Sequence, residues 1–482
     1  MTPPQAGTWR LLGYGSGSMA LSAYYLISGA YLLFATAILG VPADTAGLIM
    51  ALSTLWDALV DLPLGWWSDR TRSRRFGRRH GFMAIGGLAT AALSVALWAT
   101  PHGLGPVATA LWLAVAMIGL KTAIAAFMIS HTALGGEIVD GYDARTVAQG
   151  YRAAFQVLGM LFALVGSNLI FFRPTPAFPQ GQLNPAAYAP MGLACATLVL
   201  FATATTLAGT WTFIPRLRAP MAAHRIGVRA MLDLLRDRNL RALALTILCI
   251  ELTLQIGISL GNHVNTYTYG LSGPQMGVLG LALLGSAALS QPLWIRLGRR
   301  FDKKPTLIVA ALVAICGFTL GPLAHVAWGW FPLAPADGVV KTLLPFQVLA
   351  GAGTGAFWSL PYAMVADCAQ AHERRTGESV TGSYTGLYVF AYKVGSSASI
   401  AASGWLLHRI GYDPALTAQA ADTRYWLAVA PAVLILAGTP AALWTMSRYR
   451  LTRSAFAAAS EDATAPPSRD PTGITVHAPS DC

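Results

Sequence analysis

The sequence predicts an all-α membrane protein, with twelve transmembrane helices in two pseudo-symmetric six-helix bundles. Three observations predict it. The 482 residues are 55% hydrophobic and only 11% charged. A soluble domain carries about 25% charged residues, so so few charges could not cover a water-facing surface of this size. Twelve apolar stretches are each long enough to cross the hydrocarbon core, which takes about 20 helical residues. A short basic loop carrying one acid recurs at the corresponding place in each half of the chain.

The stretches run over 12–39, 43–67, 81–100, 107–134, 149–172, 189–213, 242–267, 275–296, 306–326, 342–365, 382–407 and 425–447. An even number leaves both termini on one side. Of the 33 lysines and arginines, 26 fall on that side, chiefly in 70–79, 216–241, 296–304 and beyond 448. Four fall opposite, at Arg173, Lys341, Arg409 and Arg424. The positive-inside rule then places both termini in the cytoplasm, in a bacterial inner membrane. The net charge of +12 reads as orientation, so no nucleic-acid partner is expected. The five cysteines are far apart and lack metal spacing, so they read as packing residues. The first apolar run leads straight into a second, and no cleavable leader is expected.

The longest cytoplasmic connection divides the spans six and six. It gives a first bundle at 1–213, a linker at 214–241, a second bundle at 242–450 and a polar, proline-rich tail at 451–482 expected to be disordered. Met231, Leu234 and Leu235 among basic residues suggest a short linker helix at the membrane surface. The repeated loop is GWWSDRTRSRRFGRR at 65–79, after span 2, and RLGRRFDKKP at 296–305, after span 8. Duplicated halves are a transporter architecture with the substrate site at their interface near mid-membrane. Gly65, Asp69, Arg70, Arg78 and Asp302 are the expected conformational loop residues.

Charges inside spans are the candidate site. A carboxylate at the bilayer centre costs about 2.5–3.5 kcal/mol on insertion scales, yet span 2 carries Asp57 and Asp61 four residues apart on one helix face. Carboxylates that close repel, and the pair calls for a proton or a cation between them. Lys393, in span 11 of the opposite bundle, completes the expected coupling set. Its contact with either aspartate would depend on which side is open. Static ion pairing is the alternative for all three. The expected substrate cavity comprises Tyr24, Tyr25, Lys121, His131, Arg152, Glu251, Asn262, Trp358 and Tyr388. The rings would stack on a sugar or flat solute. Glu251 is either a second proton site or a neutral partner between helices, and Asn262 belongs to a polar gate with Asn265 and Tyr267. Plain packing is the alternative for His131 and the aromatics, and snorkelling toward an interface is the alternative for Lys121. Trp66, Trp67, Trp98, Trp328 and Trp330 read as interfacial belt.

The segment WDALVDLPLGWWSDRTRSRRFGRR at 56–79 resembles the glycoside–pentoside–hexuronide:cation symporter family of the major facilitator superfamily. So do TALGGEI at 132–138, the following GYRAAF, and GSYTGLYVFAYKVGSSASIAASGWLLHRIGY at 382–412. The resemblance covers roughly residues 10–450 and implies the facilitator fold and alternating access. It implies that Asp57 and Asp61 bind Na⁺, Li⁺ or H⁺, acting as metal ligands only if the ion is Na⁺, with no other cofactor. Arg152 and Lys393 match charged cavity positions, and Asp69 would tie its loop to a helix end and to arginines. The chain departs from the family at Ala20 and Met128, where sugar-carrying members have aspartates that grip hydroxyls. Val60 and Ala125 replace residues that would offer oxygen to Na⁺, which favours H⁺. The expected activity is H⁺- or Na⁺-coupled symport of a small organic solute, a glycoside or other carbohydrate by default. A lysolipid or amphipath carrier of the same fold and a proton-driven exporter are the alternatives. No nucleophile–base pair, metal cluster or phosphate loop suggests an enzyme. A monomer is expected.

Overall fold

The computed structural model describes residues 7–71, 73–139, 142–217, 233–326, 336–376 and 381–451. Among them, eleven helices are long and apolar enough to cross a membrane. In the first half these are α1 (Thr8–Ile38), α2 (Ala43–Arg70), α3 (His80–Trp98), α4 (Pro106–Glu137), α5 (142–170) and α6 (Tyr188–Thr210). In the second half they are α7 (Arg238–Thr268), α8 (Gly273–Phe301), α9 (Lys303–Val326), α10 (Gly338–Thr376) and α12 (Ala421–Ser447). One more helix, α11 (Thr381–Arg409), has 29 residues and is long enough, but it is not apolar enough. Its sequence is rich in serine and glycine because it lies against α2 on one side and α7 on the other, where small residues admit close packing. Each expected apolar stretch overlaps one of these helices. Several helices outrun the apolar stretch at the end bearing the basic loops, α4 to Glu137 and α10 to Thr376.

The two halves repeat each other locally. Both α1 and α7 finish in a π turn, at Phe34–Ile38 and Val264–Thr268. Each turn is followed by a left-handed glycine, Gly40 at φ 66° and Gly270 at φ 63°. A residue with a Cβ is strained there, so the same reversal leads into α2 and into α8. The linker helix expected around Met231 and the tail from 452 lie outside the described residues, as do Trp328 and Trp330; Leu234 and Leu235 stand in a short 3₁₀ turn, Leu234–Arg236.

The halves meet along three seams, α2 with α11, α5 with α8 and α1 with α7. At the first seam the backbones touch, since a Cβ on Gly47 would sit 2.7 Å from the Gly404 Cα. One apolar core runs the length of the first half. It takes in second-half residues such as Leu271, Tyr412 and Leu427 only at the end opposite the basic loops. Hydrogen bonds cross there too. Gln182 Nε2 donates to Thr266 Oγ1 at 3.0 Å and to the Leu271 carbonyl at 2.8 Å, and Thr36 Oγ1 lies 3.0 Å from His263 Nε2. At the basic end the second half has a separate core, around Leu243, Met364, Tyr384 and Tyr388. The molecule is therefore sealed at the end opposite the basic loops, and its two cores part toward the basic end.

Candidate functional site

Asp57 and Asp61 lie one turn apart on α2, and Lys393 reaches them from α11 in the other half. The Lys393 Nζ is 2.9 Å from Asp57 Oδ2 and 2.5 Å from Asp61 Oδ2. One turn further along α11, Ser397 Oγ donates to the Ala51 carbonyl at 2.7 Å and holds the register of the two helices. Pro63, inside α2 and two residues past Asp61, cannot donate to the Leu59 carbonyl and weakens the helix ladder beside the acids. Asp57 is buried. In such a pair desolvation offsets most of the attraction, whereas removing one partner costs about 3–5 kcal/mol. The pair adds little net stability yet tolerates no vacancy.

Lys121, on α4, is 1% exposed. Its Nζ lies 4.0 Å from the centroid of the Tyr24 ring on α1, and the next residue, Thr122, accepts at 2.9 Å from the indole of Trp56, which precedes Asp57 on α2. Two acids and two ammonium groups thus converge at mid-depth. Glu251, on α7, packs beside Gly395, where an added Cβ would stand 3.1 Å from its own Cβ. Among the described residues Glu251 forms no ion pair. The Tyr25 hydroxyl accepts from Gln156 Nε2 at 2.8 Å.

Other expected site residues do something else. Arg152 donates from Nη1 to Gln149 on its own helix at 3.0 Å, rather than to the aspartates. His131 is fully buried, with Nε2 2.7 Å from the Tyr14 carbonyl and its ring stacked between Tyr14 and Phe127. It is a packing residue. Tyr388 is also core, edge-on to Tyr362 at 5.4 Å. Asn262 donates to the Gly29 carbonyl at 2.5 Å and lines a cavity of about 240 Å³ bounded by α1 and α5 of the first half and α7, α8, α9, α10 and α12 of the second, away from the acids. Trp358 sits in the 3₁₀ turn that breaks α10, 38% exposed. Gly65 is not a loop residue. It lies inside α2, and a Cβ there would meet only Ile129 Cγ2 at 3.7 Å. Arg70 stacks on Trp66 at 4.3 Å.

At the basic end of the first half, Arg79 is the hub. Its Nη2 is 2.5 Å from Asp69 Oδ1 and 2.7 Å from Glu137 Oε1, and its Nη1 donates to Ser68 Oγ at 2.9 Å. Arg78 adds a contact to Glu137 Oε2 at 3.1 Å. The cluster joins the C-termini of α2 and α4 to the start of α3. At the matching place in the second half, Asp302 alone separates α8 from α9, in the left-handed region at φ 80°. Its Oδ1 accepts from the Lys303 amide at 2.6 Å, and Lys303 Nζ pairs with Asp367 Oδ2 of α10 at 2.5 Å. Arg79, Glu137, Lys303 and Asp367 were not singled out from the sequence. The signal was available in the repeat, since spans 4 and 10 each run on into an acid at the basic end.

Among the described residues no three His, Cys, Asp or Glu side chains converge as a metal site. Residues 13–453 match the family model for MFS/sugar transport proteins. The chain is 26% identical to the uncharacterized symporter sll1374 of Synechocystis sp., over 92% of this chain and 94% of that one. It is 26% identical to the inner membrane symporter YicJ of Escherichia coli, over 86% and 85% of the two chains. Its fold matches a solved structure of a mutant of the nucleoside transporter NupG with a TM-score of 0.68, covering 92% of this chain and all of that one at 12% identity. That likeness concerns the fold alone.

Proposed function

The chain belongs to the MFS/sugar transport protein family, as a multi-pass symporter of the glycoside–pentoside–hexuronide type and not an enzyme, and from that premise we propose that it couples a small organic solute to a proton. The solute is a glycoside or other carbohydrate. The protein works as two six-helix bundles, 1–213 and 242–450, in the inner membrane, with both termini cytoplasmic and twelve spans once α11 is included. The site at mid-depth then faces the cytoplasm through the basic end. The observation that carries the reading is Lys393 bridging both aspartates from the opposite half, at 2.9 and 2.5 Å.

A contact across the interface exists in one arrangement of the halves and not in the other. When the halves separate at this level, Lys393 leaves and the carboxylates need another positive charge, which the coupling ion supplies. When the ion departs to the cytoplasm, Lys393 returns. The proton fits better than Na⁺, because it needs one carboxylate oxygen and Val60 and Ala125 offer no further ligands. The cavity beside Asn262, walled by Leu164, Phe318 and Phe346, supports a second reading, an amphipath carrier of the same fold.

Proteoliposomes loaded with a pH dye test this. Adding the transported member of a panel of glycosides and lysolipids should acidify the lumen, and Asp61→Asn should abolish that signal while the protein still inserts. Solute-driven proton entry in Asp61→Asn equal to that of the unmodified chain would overturn the coupling assignment. A response to lysolipids alone would move the substrate class to the second reading.

A further inference from the structure

We propose that Lys121 is a built-in counter-cation of the Asp57–Asp61 pair, and that it excludes alkali-metal ions from the site. The inference rests on the symport reading above and specifies which ions that site rejects. The groups around the pair come from five helices: the acids from α2, Lys121 from α4, Lys393 from α11, the Tyr24 phenol from α1 and, further off, Glu251 from α7. The two lysines differ in one respect. Lys393 belongs to the second half and moves with it. Lys121 belongs to the first half, on a helix that packs directly against α2, and stays with the acids whatever the halves do.

Lys121 is buried, and its ammonium rests on the face of Tyr24. Among the described residues it has no hydrogen-bonded carboxylate of its own. A ring face alone does not compensate a desolvated ammonium, and the Trp56 indole donating to Thr122 Oγ1 at 2.9 Å sets the α2 turn that bears Asp57 level with the α4 turn that bears Lys121, so Asp57 and Asp61 are its nearest acids. It therefore neutralises one of their two charges in every state. The pair is left short of one positive charge when Lys393 withdraws, and one lysine replaces it when Lys393 returns. An alkali-metal ion would have to gather several oxygen ligands beside a fixed ammonium that repels it at short range in a low dielectric. Neither Val60 nor Ala125 brings an oxygen.

The test needs no knowledge of the solute. Binding of radioactive sodium to the purified full chain, with thermal unfolding in parallel, is measured against N-methylglucamine chloride at sodium up to roughly 0.15 M. The unmodified chain should bind no sodium saturably and show no sodium-dependent stabilisation. Lys121→Ala and Lys121→Gln should gain saturable binding, about tenfold above the unmodified chain, and lose it when Asp57→Asn is added. Lys121→Arg should stay blind to sodium. Saturable sodium binding by the unmodified chain overturns the inference, and that measurement stands even if a variant does not fold. Folded alanine and glutamine variants that remain blind to sodium overturn it too. Failure of the symport reading would look different: solute uptake indifferent to every ion gradient.

Discussion

After α2 the chain takes nine residues, 71–79, to reach α3; after α8 it takes one, Asp302, to reach α9. The longer connection delivers an arginine that is 3% exposed onto two acids from two other helices. The shorter one delivers Lys303 onto a single acid, with side chains 34% and 29% exposed. The repeat is plain in sequence, yet the energy is distributed unequally. A forked guanidinium desolvated between carboxylates fixes α2, α3 and α4 as one block. An ammonium paired in contact with water is screened and holds α9 to α10 weakly. Asp57 and Asp61 thus ride on the half whose loop after the second helix is pinned by a desolvated guanidinium, and Lys393 rides on the half whose matching loop is held by a more exposed ammonium.

This contrast can be broken in order of expected effect. Arg79→Ala should lower stability most, by about 3 kcal/mol, as expected when one partner of a buried pair is removed; chemical unfolding in detergent measures it. Arg79→Lys should recover part of the loss, since an ammonium lacks the fork. Glu137→Gln comes next, at about 2 kcal/mol, because Arg79 keeps Asp69 but loses a charged hydrogen-bond partner. Lys303→Ala should cost less than about 1 kcal/mol, and high salt should shrink even that. If Lys303→Ala proves as costly as Arg79→Ala, the asymmetry is wrong. Smallest is Asp302→Gly, near zero to slightly stabilising, because relief of about 1 kcal/mol of left-handed strain opposes the loss of the short bond from the Lys303 amide to Asp302 Oδ1. Asp302→Ala loses that bond and keeps the strain, so it should unfold at clearly lower denaturant than Asp302→Gly.

Lys393 was legible in the sequence because a lone ammonium in one bundle and two acids in the other leave few ways to neutralise charge in a membrane. The spans were legible for the same reason of solvation, except that α11 reads as less apolar because protein surrounds it. What the sequence left open were rotational facts. Nothing in one chain says that the His131 ring turns inward onto Tyr14, that Arg152 bonds along its own helix, or that Tyr388 faces the second core. Gly65 drew notice from its spacing to Asp69, although α2 runs through it unbroken. Lys121 was visible as a buried charge, but its seat on Tyr24 depends on how α4 is turned about its axis.

The touching backbones of Gly47 and Gly404 have a mechanical side. Fourteen residues of helix separate Gly47 from Asp61, an arm of about 21 Å at 1.5 Å per residue. Were α2 and α11 to tilt about that crossing as about a fulcrum, a rotation of about 15°, ordinary for rigid-body transitions, would sweep the far end through about 5 Å. Asp57, nearer the crossing, would move less than Asp61. The leverage would part Lys393 from Asp61 first and leave Asp57 as its last hold, so two acids on one helix make a release in two steps rather than one.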